Sequence, residues 1–329
     1  MSSMTAWTEL QTRVEKDIMQ NGVPRGEFVV SNMTKAVENA LHHIHSHFAL
    51  PAHPILEIGA GTGYHSLMML SMYQKKVYSV DINAQALDFA KERVAHFMPE
   101  VPVSHKASPA EFDRAFDQGP VVNFHPYALS DMLQFEEQKY AASIFNPPII
   151  YPFFEIEIDK PATQGVYVAN DDVKNVQNEL VYQFYQHIAQ KNLVRGSHIL
   201  CVWSNLIRHL AELDPFEGTE ANYVHPSEIL SKWFGFRFDN EPESFEEFYC
   251  HTTVLKAASF NQGNTDDLYT RNIEYGRKNH LYSELLVDHG PADSGDTSFK
   301  FGVLHLVKTS DTENRFTIVN GSSKNGTKI

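Results

Sequence analysis

The residues best suited to chemistry begin where an apolar run opens into glycines: Ile55-Leu56-Glu57-Ile58-Gly59-Ala60-Gly61-Thr62-Gly63-Tyr64-His65. Glycine takes backbone angles closed to other residues and lets the main chain approach a ligand closely. A strand ending in such a turn and continuing as a helix can seat a nucleotide-like cofactor. The same glycines would also suit a tight turn that holds nothing, and a second feature weighs against that. Eighteen residues after Gly63, the run Lys76-Val77-Tyr78-Ser79-Val80 ends in Asp81, where this kind of fold places a carboxylate for the two hydroxyls of a ribose. In a third segment, Tyr140-Ala141-Ala142-Ser143-Ile144-Phe145 runs into Asn146-Pro147-Pro148. Proline has no N–H and fixes φ, so this loop is stiff and rich in carbonyl acceptors. At the carboxyl end of a strand those acceptors would face the same crevice as the glycines.

Spacing separates the cofactors. A dinucleotide fingerprint reads G-x-G-x-x-G, but here Tyr64 stands where the last glycine belongs and Gly63 comes one residue early, which disfavours NAD. The pattern from Glu57 to Gly63 resembles the first motif of class I SAM-dependent methyltransferases. The Asn146-Pro147-Pro148 loop resembles the fourth motif of those members that act on planar nitrogens, including the release-factor glutamine and adenine amino enzymes. The resemblance implies an α/β fold, a Rossmann-like seven-stranded domain, with S-adenosyl-L-methionine (SAM) as cofactor. It implies cofactor contacts at Glu57, Gly59, Ala60, Gly61 and Gly63 of the turn, at Asp81 and Ile82 after the second strand, and at Asn146. It further implies that the Asn146 side-chain oxygen and the Pro147 carbonyl accept hydrogen bonds from the target nitrogen. Positioning of that kind can lower a barrier by roughly 7–11 kcal/mol, so little acid–base machinery is needed.

The chain departs from that subgroup at Ile149, where an aromatic residue normally follows the prolines; Tyr151, Phe153 and Phe154 come just beyond. Tyr151, Tyr167 and Trp203 are candidates for the crevice mouth, and Asp131 is a candidate polar group on the adenine or substrate side. Aromatic side chains there would also suit a sulfonium, to which cation–π attraction contributes up to about 2 kcal/mol. Methyl transfer to a small metabolite or a protein side-chain amide is the leading reading. The alternative, similar to azetidine-carboxylate synthases, makes SAM the sole substrate and releases methylthioadenosine. A non-catalytic SAM-fold module would have no chemical need for turn, acid and Asn-Pro-Pro loop together.

These motifs need a framework. Leu10, Val14 and Ile18 recur at helical spacing, Asn21-Gly22-Val23-Pro24 breaks the pattern, and a second helix starts at Ser31 or Asn32. Residues 1–50 therefore read as a helical cap. His43 and His47 lie four apart, a zinc-like spacing, but no HExxH pattern or third ligand accompanies them and a solvated helix face is the simpler reading. From 51 to 258, short apolar runs alternate with helical stretches, as in a parallel sheet covered on both faces. Strands are expected at 55–58, 77–81, 101–105 or 121–124, 142–145, 198–203 and 248–255. Helices are expected at 64–73, 84–97, 172–190 and 226–233, with an exposed connection at 241–247. A C-terminal extension, 259–329, contains a hairpin at 299–308 and 315–319 and a disordered tail after Asn320.

The 329 residues, 42% hydrophobic, can bury a substantial core. A net charge of −14 opposes binding along a phosphate backbone, so a small-molecule or protein substrate is expected rather than a nucleic acid. The two cysteines, Cys201 and Cys250, sit in apolar strand-like runs and read as reduced core thiols. With no signal-like or membrane-spanning run, a cytoplasmic protein is expected.

Overall fold

A computed structural model describes residues 3–21, 32–81, 84–105, 111–112, 119–125, 138–146, 183–189, 191–203, 226–240, 250–256, 287–289 and 297–319. Helices α1 (Ser3–Asn21) and α2 (Asn32–His47) come first, then β1 (Ile55–Ile58), α3 (Tyr64–Tyr73), β2 (Lys76–Val80) and α4 (Ala84–Phe97). Strands β3 (Val103–His105), β4 (Val121–His125) and β5 (Tyr140–Phe145) follow, with a π-helix at Phe184–Ala189 before β6 (Leu193–Trp203). Helix α5 (Pro226–Phe234) leads to β7 (Arg237–Phe238), β8 (Cys250–Lys256), β9 (Val287–His289), β10 (Thr297–Lys308) and β11 (Arg315–Ile318).

All these strands join one sheet in the order β3-β4-β2-β1-β5-β6-β10-β11-β7, with β8 and β9 also paired to β10. The block from β3 to β6 is parallel. Its central strands β1 and β5 are buried at every position, as both faces being covered requires. From β1 the chain passes to β2 and on to β3 at the edge, returns to β4 between those two, then crosses back to β5 on β1's other side. The order therefore reverses between β1 and β5, and in an open α/β sheet the crevice at the carboxyl ends of such a pair is where ligands sit. Ile58 pairs with Phe145, so the glycine turn and Asn146 leave the sheet side by side.

The mixed α/β fold is as expected, but the described residues form a sheet of eleven strands where seven were expected. Both runs offered as alternatives for the third strand, 101–105 and 121–124, are strands, and short β7 and β9 add to the edge. The hairpin of β10 and β11 extends the sheet: β10 runs antiparallel to β6, with Leu304 opposite Cys201. Within the helix expected at 172–190, the stretch Phe184–Ala189 winds as a π-helix. Its adjacent Phe184 and Tyr185 are both fully buried, Phe184 against Phe145 and Tyr185 against Phe234.

Helix α3 is buried on nearly every side. One face meets the sheet and the other is covered by α1 and α2, whose Trp7, Val14, Ile18, Val37, Leu41 and Ile44 belong to the same core cluster as Leu67, Met68 and Leu70. This explains why α3 is apolar all round rather than along one stripe. The ring of His47 stacks on that of His43 and its Nδ1–H donates to the His43 carbonyl at 3.0 Å. No cluster fit for a metal occurs among the described residues. Cys201 is a buried free thiol whose pKa burial pushes up to about 12. No helix among the described residues is long and apolar enough to cross a membrane. The connection at 241–247 and the tail after Asn320 lie outside the described residues.

Candidate active site

The turn after β1 is built by three glycines, Gly59, Gly61 and Gly63, with φ of 73°, 48° and 76°. Gly63 shows why the side chain must be absent: a Cβ there would lie 2.8 Å from the Ala90 Cβ of α4, in a conformation other residues avoid. The turn is tied to β2 from its start. The N–H groups of Gly59 and Ala60 both donate to the Val80 carbonyl, at 2.8 and 3.1 Å. Asp81, the next residue after Val80, takes the Gly61 N–H on its Oδ2 at 2.9 Å.

Gly59 is exposed at the crevice, and Gly61, Thr62, Asp81 and Asn146 are partly exposed there. A Cβ on Gly59 would approach the Asn146 carbonyl to 3.7 Å, so the two motifs named from sequence lie next to each other across the switch point. The Asn146 side-chain oxygen is buried and has no hydrogen-bond partner among the described residues. Gly59, Ala60, Gly61, Gly63, Asp81 and Asn146 are thus brought together. Trp203 ends β6 opposite Gly302 of β10. Pro147, Tyr151, Tyr167, Asp131 and Ile82 lie outside the described residues.

Glu57 is placed beneath the turn, 1% exposed. In a strand, alternate side chains face opposite sides, and this one enters the layer under α3. There Oε2 accepts from the Ser66 hydroxyl and from the Ser79 hydroxyl, the latter at 2.8 Å. Its Oε1 has no hydrogen bond among the described residues and faces His65 Nδ1 at 3.8 Å. His65 Nε2 points at the Thr34 carbonyl, 3.0 Å away; a carbonyl only accepts, so Nε2 carries the proton. Burial pushes the Glu57 carboxyl up to about 7 against the two hydroxyl donors, with Asp81 adding a smaller upward push.

Sequence reasoning missed this lower layer. Its available signals were serines at fully buried positions of apolar elements, Ser66 in α3 and Ser79 in β2. It also missed a polar cluster around Tyr64. The Tyr64 hydroxyl lies 2.8 Å from Glu38 Oε2 and 3.0 Å from Glu15 Oε1, and receives Lys35 Nζ at 2.9 Å and Gln11 Nε2 at 3.2 Å. Trp7 Nε1 donates to Glu38 at 3.2 Å, and Lys35 also bridges to Glu15. Burial raises the Glu38 carboxyl, but donors from His42, Tyr64, Trp7 and Lys35 outweigh it and hold the group at about 2.

Residues 55–135 match a family described as a methyltransferase domain. A comparison of the sequence with curated proteins finds no match. Among solved structures, a putative methyltransferase from Bacillus halodurans C-125 is similar at 13% identity and a TM-score of 0.42, over 83% of this chain and 100% of that one. The YcgJ protein from Bacillus subtilis is similar at 16% identity and a TM-score of 0.39, over 83% and 99% of the two chains. An rRNA methylase from Streptococcus thermophilus is similar at 10% identity and a TM-score of 0.34, over 84% and 97%.

Proposed function

We propose that this chain is a SAM-dependent N-methyltransferase acting on a small metabolite or a protein side-chain amide. The observation that carries the reading is the Asn146 Oδ1, a buried acceptor unpaired among the described residues, beside Gly59 at the switch point. An acceptor left unpaired in a protein interior costs on the order of 1–3 kcal/mol. Its retention makes physical sense where a ligand N–H completes it.

The residues around it fit the cofactor. The exposed main chain at Gly59 lets a flat or extended group lie close, and Asp81, oriented by the Gly61 N–H, suits a pair of ribose hydroxyls. Glu57 supports the turn from below through Ser66 and Ser79. Bound SAM would supply an activated methyl group on a positively charged sulfur. Asn146 would accept an N–H of the target nitrogen and hold its lone pair toward the crevice, and Pro147 would add its carbonyl. No protein base need be strong, because orientation is the main requirement.

The test is mass spectrometry of purified protein with SAM, alone and with nitrogen-bearing acceptors. S-adenosylhomocysteine appearing only with an acceptor is expected. Methylthioadenosine and a cyclic amino acid from SAM alone would replace transfer by intramolecular cyclisation.

A further inference from the structure

Arg93 of α4 is buried, 4% exposed, and points toward the back of the glycine turn. Its Nη1 donates to the carbonyl of Thr62, the residue between Gly61 and Gly63. Its Nε donates to Asp17 Oδ2 of α1 at 2.7 Å. One rigid guanidinium therefore holds the turn's backbone and the first cap helix at once, which a lysine's single ammonium does not reproduce. Ala90, one helical turn earlier on the same face of α4, is the residue against which Gly63 is seated. Shape from Ala90 and charge from Arg93 together fix the turn from behind.

We propose that Arg93 is a positioning residue for the cofactor turn, and that its bond to Asp17 makes the turn's geometry depend on docking of α1. This rests on the SAM-binding reading above, and it concerns residues that no motif covers. The Thr62 carbonyl, held back by a charge-assisted bond, is kept from swinging into the crevice. Asp17 holds the guanidinium in the orientation that reaches it.

The experiment compares Arg93→Lys, Asp17→Asn and the double variant with a control, Tyr73→Phe. Tyr73 donates to the Leu41 carbonyl at 2.6 Å, joining α3 to the cap at the end away from the turn. Amide hydrogen exchange over residues 59–67 is read in the ligand-free protein, beside S-adenosylhomocysteine affinity by calorimetry and thermal melting. Arg93→Lys is expected to speed exchange in the turn and weaken binding about tenfold. The double variant should be no worse than Arg93→Lys, because both substitutions break one connection. Tyr73→Phe should lower the melting temperature while leaving turn exchange and affinity at wild-type values. Wild-type exchange in Arg93→Lys, or an equal loss of turn protection in Tyr73→Phe, overturns the proposal. Should Arg93→Lys fail to fold, the same readouts in Asp17→Asn decide, its side chain lying nearer the surface. If the wild-type protein binds no S-adenosylhomocysteine, the cofactor reading falls and turn exchange alone judges the latch, with the same two outcomes.

Discussion

The glycine turn has a front and a back, and they are finished differently. On the back, most polar atoms are matched: Arg93 with Asp17 and Thr62, Tyr64 with Glu38, Lys35, Glu15 and Gln11, and Glu57 Oε2 with two serines, Glu57 Oε1 being the exception. The front presents the bare main chain of Gly59, and beside it lies the buried Asn146 side-chain oxygen, unpaired among the described residues. A closed network resists change because breaking any member strands the others. An unpaired buried acceptor stabilises nothing by itself, and on the proposed reading a ligand N–H completes the one on Asn146. On the proposed reading, the back is scaffold and the front is site.

Substitutions on the two sides should therefore damage different quantities. The largest effect is expected from Asn146→Ala, which should lower turnover by about a hundredfold or more through lost alignment, with SAM binding and melting temperature retained. Steady-state kinetics beside calorimetry check this, and unchanged turnover would erase the front of the comparison. Gly63→Ala attacks the back. The left-handed backbone and the collision with Ala90 should together cost about 2–5 kcal/mol in a denaturant titration.

Glu57→Gln sharpens the comparison through pH. The folded-state carboxyl, at about 7, lies above its ordinary 4.5, so the native protein holds this proton more tightly than the unfolded chain. The stabilisation from it is complete below pH 4.5 and is lost as pH rises through about 7. Glutamine mimics the neutral form, so the variant should match wild type in acid and exceed it at pH 8, by on the order of 2 kcal/mol. Equal stability at both pH values would mean that Glu57 does not titrate as its burial implies. Smallest is Tyr64→Phe, expected to cost about 1 kcal/mol in the same titration.

The local framework was legible in sequence because its punctuation is local. The boundaries of α3 and α4 fall at Tyr64–Tyr73 and Ala84–Phe97 as expected, the first set by Gly63 and a left-handed Gln74. Gly59, Asp81 and Asn146 were legible as site candidates because strand ends at a switch point converge whatever the loops between them do. The latch was not legible. Asp17 and Arg93 are 76 residues apart, and on its own helix each reads as an ordinary charged residue. Nor could a pattern of alternating apolar residues say that adjacent Phe184 and Tyr185 would both be buried, or that Glu57 would turn under the turn it introduces.

Strand β10 has a consequence for how the molecule is made. It lies between β6 and the outer strands, and His305 at its centre packs against His43 and Phe48 at the amino-terminal end of the chain and against His198 of β6. On a ribosome the parallel strands emerge first, and β6 then waits with an open edge until residues near 308 have cleared the exit tunnel. During that interval the nascent chain exposes a long apolar edge able to pair with another chain. Translation speed between the codons for β6 and those for β10, and chaperone supply at that moment, should then govern the yield of folded protein.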